Sequence, residues 1–300
     1  MQVALEVTDA NGSTSQHQHA VAAPQLIKHF AMAGAGFSPT VELLRRGIGA
    51  VLWYWPFLRP AIFGGSKFGE PVPILQDPTL KAHFSNLIGR AFADHFARKF
   101  AHSWATLSYE GVMAVQGIPC RGDRPDLLGV SPSHVVALEA KGFAKRSVSR
   151  SDLADYKRQA GTGPIAKHSF AASVAYALYS KVGVKFIDPM ANTSPPEPRE
   201  ALVLITDYLG LVETSAEAWR GEEVLIEGRR FRQIPILRLS EDESTNFDRG
   251  AGWREVTLLL DLAARARITR SERLEDTAIV AEVERKDLFV DRDGVGIRLV

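Results

Sequence analysis

Apolar residues recur at helical spacing from Leu80 onward, through Phe84, Leu87, Ile88, Ala91, Phe92 and Phe96. Asp77 can cap and Pro78 suits the first helical position, so a helix is predicted from 78, its apolar period running on to Leu107. The period then shortens. YEGVMAVQG at 109–117 reads as a strand, PCRGDR as a turn, and PDLLGVS and HVVALEAKG as two further strands joined at Pro132 and Ser133. The stretch 149–161 returns to helical spacing, with Ser151 as cap and Gly161 as stop. FAASVAYALYS and VGVKFIDP follow, and REALVLITDYLG at 199–210 reads as a strong strand.

Upstream, residues 1 to about 25 are polar and predict an irregular arm, 39–52 predicts a helix, and 57–78 predicts a Pro- and Gly-punctuated connection. Downstream lie a hydrophilic loop at 240–252, a predicted helix around 254–267 and a hairpin at Asp291–Gly294. The expected organisation is an N-terminal, partly helical extension (1–78), an α/β core with a mixed sheet flanked by helices (79–211), and a C-terminal mixed α/β region (212–300).

Composition narrows the picture little. The 300 residues carry a net charge of +1, so no global field points to a polyanion or membrane surface. Cys120 is the single cysteine, which excludes an intrachain disulfide and a Cys-based zinc site, and suits the cytoplasm. The most apolar stretch, 48–65, is broken by Pro56, Arg59 and Pro60, and the start lacks the pattern of a secretory leader. No membrane partner is expected. Trp53, Tyr54, Trp55 and Phe57 are assigned to the core, and His17 and His19 to an exposed surface.

The chemistry sits in VVALEAKG. Val135, Ala137, Glu139 and Lys141 share one face of a strand, so an apolar run ends in a carboxylate and an ammonium. An uncompensated carboxylate near a core costs several kcal/mol, roughly. Neighbours on one strand face are about 6–7 Å apart, a loose span for a direct ion pair. Asp126, at the start of the preceding strand, is brought back beside Glu139 by a short turn. Two carboxylates so placed suit Mg2+, with Mn2+ as a substitute, and the Ala140 carbonyl as a further ligand. Lys141 would face the nucleophilic water or the phosphate.

Pro125-Asp126, twelve residues, then Glu139-Ala140-Lys141 resembles the PD-(D/E)XK nuclease superfamily, over about residues 79–210. The resemblance implies a restriction-endonuclease-like core, metal binding by Asp126 and Glu139, and Lys141 as the catalytic lysine. It implies a nucleic acid partner, DNA rather than RNA, in restriction, defence or DNA processing. Many members add an acid from the first core helix. Arg90 departs from that pattern, and Asp94, one turn later, is the expected replacement metal ligand. On the following helix Gln159 is preferred to Tyr156 as a further catalytic residue. Lys141, Lys145, Arg146, Arg150, Lys157, Arg158 and Lys167 form a local basic excess suited to a phosphate backbone. A homodimer, or a partner protein docked on the N-terminal extension, is also expected. The competing expectation is an inactive nuclease-like fold that serves as a binding module.

Overall fold

The computed structural model describes residues 1–9, 11–35, 41–70, 77–131, 135–145, 147–165, 169–187, 221–238, 255–261 and 282–300. In chain order these form β1 (Gln2–Thr8), β2 (Thr14–Ala20), α1 (Ala23–Met32), α2 (Val41–Trp53), α3 (Trp55–Ile62) and α4 (Pro78–Phe100). There follow β3 (Ala105–Ser108), α5 (Tyr109–Val115), β4 (Leu127–Val130), β5 (Val135–Gly142), α6 (Arg150–Ala160), β6 (Phe170–Tyr176) and β7 (Gly183–Ile187). The C-terminal part holds β8 (Glu222–Ile226), β9 (Arg229–Arg238), β10 (Glu255–Asp261), β11 (Val283–Glu284), β12 (Leu288–Val290) and β13 (Val295–Leu299).

The larger sheet has seven strands in the order β2-β1-β7-β6-β5-β4-β3. β3, β4 and β5 pair antiparallel, β5 and β6 parallel, β6 and β7 antiparallel, and β1 joins β7 in parallel. The parallel β5–β6 step needs a crossover, and α6 supplies it. The architecture is therefore α/β with a mixed sheet, as the sequence predicts. A second, six-stranded sheet has the order β11-β12-β13-β10-β9-β8.

One face of the larger sheet is covered by α4. Val136, Leu138 and Ala140 of β5 pack into the same cluster as Phe84, Ile88 and Phe92. Fully burying each such phenylalanine stabilises by about 1.5–3 kcal/mol. Two glycines set the distance between helix and strand. A Cβ on Gly142 would stand 1.8 Å from the Ser85 carbonyl oxygen, and one on Gly89 would stand 2.5 Å from the Lys141 carbonyl carbon. The outer side of α4 is wrapped by aromatics: Phe57 and Phe84 are 4.8 Å apart between ring centres, with Tyr54 and Phe68 against the same ring.

Several elements differ from their predicted form. The supposed N-terminal arm is a hairpin, β1–β2, built into the sheet because Val3 and Leu5 alternate onto the core face and are buried. Residues 109–117 are helical, not extended, because Ser108 caps Tyr109–Val115 by accepting from the Gly111 N–H at 3.4 Å. The first strand of the core is instead Ala105–Ser108, in the tail of the predicted long helix, which stops at Phe100. Within the predicted 57–78 connection the chain first completes α3, which carries Pro56 in its first turn and Pro60 inside. Ser149, not Ser151, caps α6 and accepts from the Asp152 N–H at 3.0 Å. Glu255–Asp261 is a strand where a helix is predicted. Val256, Leu258 and Leu259 are fully buried between β9 and β13, so both faces are apolar and the period misleads. Trp53 is 70 % exposed, whereas Tyr54 and Phe57 are core as expected. The hairpin at Asp291–Gly294 joins β12 to β13 as predicted. The turn at Pro132 and Ser133, the 199–210 strand, the 240–252 loop and the rest of the 254–267 helix lie outside the described residues.

A buried ionic network joins the two sheets. Lys28 on α1 reaches Asp291 at 2.6 Å and Asp293 at 3.1 Å, and Arg98 on α4 reaches the same carboxylates at 2.8 and 3.0 Å. Arg98 also donates to Asp94, whose other oxygen meets His29 Nδ1 at 2.7 Å. The contact continues outward: His29 Nε2 lies 3.2 Å from His95 Nδ1, and His95 Nε2 lies 2.9 Å from His19 Nε2. His19, assigned to an exposed surface from sequence, is thus the outer end of a buried imidazole chain. Burial, aided by Lys99 and His17, pushes His19 down to about 4. Burial likewise lowers His29, against the pull of Asp94, and lowers His95 strongly, with His29 and His19 adding to the effect.

Two predictions follow from packing and from charge. Gly142→Ala forces α4 from β5 and should cost about 1–3 kcal/mol in denaturant unfolding. The three histidines sit below their unfolded value of 6.5, so the unfolded chain takes up protons first. The stability they contribute is present above pH 6.5 and is lost as pH falls toward 4. The melting temperature by circular dichroism should decline across that window, and a flat profile would contradict the buried imidazole chain.

Candidate active site

Leu127 pairs with Leu138 across β4 and β5, so extending the register by one residue sets Asp126 opposite Glu139. The Asp126 N–H donates to the Leu138 carbonyl at 3.1 Å, and the Ala140 N–H donates to Asp126 Oδ2 at 3.0 Å. Pro125 has no N–H to extend the ladder, so β4 starts here while β5 continues to Gly142. The last turn of pairing is thus replaced by a carboxylate held from below by backbone.

Glu139 and Lys141 lie on the face opposite α4, as the alternation predicts. On that face Val135 and Ala137 pack with Tyr109 and Met113 of α5. The Glu139 side chain is 0 % exposed, and neither oxygen receives a well-formed hydrogen bond. Lys141 Nζ stands against Oε1 as an ion partner and is 3.7 Å from Asp126 Oδ2. The sequence expectation that strand spacing is too loose for this contact is corrected: the four-carbon stem of lysine folds back along the strand and spans it. Burial, and then the neighbouring Asp126 charge, push Glu139 up to about 7, with Lys141 pulling the other way. Burial opposes the Lys141 charge, but Glu139 and Asp126 outweigh it and raise its pKa.

Asp126, Glu139, Ala140 and Lys141 are therefore brought together. Asp94 is not part of this group. Its Oδ1 accepts from Arg98 at 3.0 Å and Thr106 at 2.8 Å, and its Oδ2 faces His29, so its oxygens are committed to the buried network. Arg98 in particular holds its carboxyl well below the usual carboxylate range despite burial. Gln159 is half-buried near the end of α6, and its carbonyl accepts from Thr162. Tyr156 is the α6 residue that meets the lysine, its ring centre 6.0 Å from Lys141 Nζ. Helical spacing put both on one face; only the placement of α6 over β5 and β6 distinguishes them. Glu110 is exposed and ion-paired with Arg124. Of the basic excess, Lys145 pairs with Asp152 and Arg158 with Asp155, whereas Arg150 and Lys157 have no carboxylate partner among the described residues. Arg146, Lys167 and His168 lie outside them.

Among the described residues no three His, Cys, Asp or Glu side chains form a ready-made ion cage. The donors present do fit a hard cation that keeps most of its water. Asp126 and Glu139 offer two hard oxygen donors, and the single Lys141 ammonium leaves the pair one negative charge in excess. No protein-family model, curated protein or solved structure matches this chain. No helix among the described residues is long and apolar enough to cross a membrane.

The raised Glu139 has a consequence of definite sign. Its folded value, about 7, is above its unfolded 4.5, so stability present below pH 4.5 is lost as pH rises to 7. Glu139→Gln, which keeps the shape without the charge, should melt above wild type at pH 8, and the gap should close by pH 4.5. Equal melting at pH 8 would mean that the charge is already compensated.

Proposed function

We propose that this protein is a metal-dependent nuclease that hydrolyses phosphodiester bonds, with DNA as the favoured substrate. The single observation carrying this reading is Glu139: a fully buried carboxylate whose one close charged partner is the Lys141 ammonium, beside a second carboxylate. That charge pattern calls for a cation, and a phosphate ligand would complete the shell of one held by only two carboxylates. The order of elements supports the same reading. A long helix, α4, precedes three antiparallel strands, β3 to β5, and α6 then leads into β6 parallel to β5. This matches the core order of the nuclease superfamily that Pro125-Asp126 and Glu139-Ala140-Lys141 resemble, with α5 inserted between β3 and β4.

A bound Mg2+, or Mn2+ in its place, would polarise the phosphate and lower the pKa of a coordinated water. Asp126 and Glu139 would hold it. The Ala140 N–H fixes the Asp126 carboxylate, so that ligand is oriented before binding. With Asp126 and Glu139 holding a cation, Lys141 would be free of Glu139 and able to meet the attacking water or the charge growing on the phosphate oxygens. Tyr156 limits where the ammonium can turn.

A second reading, a nuclease-like module that binds without cutting, is favoured by one feature. The acid of α4, Asp94, is tied up in the buried network, leaving two carboxylates at the site. Cleavage assays separate the two readings. Plasmid, single-stranded DNA and RNA should be cut in Mg2+ or Mn2+ and not in EDTA. Glu139→Ala and Lys141→Ala should each reduce cutting by about 10²–10³-fold. Cutting that survives both substitutions removes this site from the reaction, and binding without cutting in every metal establishes the module.

A further inference from the structure

Arg90 is the residue of α4 next to the glycine that presses on β5. Its Nη2 would lie 2.6 Å from a Cβ placed on Gly34, and the same point is 2.9 Å from the Leu127 side chain, so the guanidinium sits at the start of β4. Here β5 runs on past Glu139 beyond the start of β4, paired on its other edge with β6, and α4 lies close beneath. The side chain is half-buried and Nε is sealed from solvent, yet no hydrogen bond or ion pair closes on it among the described residues. A buried, unsatisfied guanidinium is costly, and it cannot escape by losing its proton.

Three carboxylates stand in its field, Asp126 foremost, then Glu110 and Asp94. Each is engaged elsewhere. Asp126 accepts from Ala140, Glu110 pairs with Arg124, and Asp94 serves Arg98, Thr106 and His29. The guanidinium is therefore held beside the site by attraction, and its Nε–H has no acceptor among the described residues.

We infer that Arg90 forms a phosphate subsite: its guanidinium takes a non-bridging oxygen of a substrate phosphate at the Asp126 side of the site. The ligand class rests on the nuclease reading, but the residue's role can be tested without turnover. It adds to the Lys141 ammonium a second fixed positive charge at a site with two carboxylates, and planar donors suited to phosphate.

The test uses the full chain and a fluorescein-labelled single-stranded oligonucleotide, with binding read by anisotropy in EDTA so that no cutting occurs. Arg90→Met should weaken binding by about tenfold to a hundredfold, the usual loss for a hydrogen-bonded charge. It should lower the slope of log affinity against log salt by about 1. Arg90→Lys should recover part of the affinity. Melting of Arg90→Met should be unchanged or higher, because an unpaired buried charge is replaced by an apolar chain of similar length. The inference is overturned if Arg90→Met binds as wild type, if its affinity falls only with its melting temperature, or if wild type binds no oligonucleotide. Cleavage in Mg2+ reports separately. Arg90-dependent binding without cutting keeps the subsite and removes the nuclease, and cutting indifferent to Arg90 does the reverse.

Discussion

A carboxylate with no exposure to water and a single ammonium as its partner is the constraint on which the site depends. Glu139 tolerates this position because β4 and β5 are locked in register by four buried pairs, Leu127–Leu138 through Val130–Val135. A slip of one residue would turn Glu139 and Lys141 into the α4 face and expel Val136 and Leu138 from it. The hydrophobic pattern therefore enforces an electrostatically unfavourable arrangement. Burial free energy summed over the strands outweighs the cost of one displaced charge.

The same chain contains the opposite solution to the same problem. Asp94 is equally buried but meets Arg98, Thr106 and His29, and it is stabilised as an anion. Glu139 meets a single lysine and a second carboxylate, and its proton affinity rises to about 7. The two acids show that burial alone does not mark a reactive group. What separates them is the number of donors the fold supplies. Asp94, with Arg98, Lys28, Asp291 and Asp293, fastens α1 and α4 to the hairpin that ends the chain. That network is structural, and it leaves the proposed metal site to Asp126 and Glu139.

Position along α4 divides these roles. Toward its C-terminal end, Arg98 reaches the second sheet through Asp291 and Asp293, while Asp94 and His95 hold α1 through His29. One turn earlier, Gly89 lies against the β5 backbone at Lys141 and Gly142, and Arg90 reaches Gly34 at the start of β4. A rigid helix with glycine at its contact point lets one element hold both the interdomain network and the wall of the proposed phosphate site, without a loop between them.

Much of this was legible in the chain. Strict alternation placed Glu139 and Lys141 on one face, Pro125 marked where β4 begins, and the Asp77-Pro78 start gave α4, because each is a local backbone property. The failures share a physical cause. Residues 1–8 alternate Val3 and Leu5 onto the core face, but their place in the sheet is set by pairing with β2 and with the parallel edge of β7. Residues 255–261 look helical because both their faces are buried between β9 and β13. The contact of Lys141 with Glu139, the approach of Tyr156 to Lys141 and the hold of His29 on Asp94 all depend on where side-chain tips meet. Sequence period determines the face a residue occupies; only the packing of separate elements decides which charges on that face find partners and which are left waiting for one.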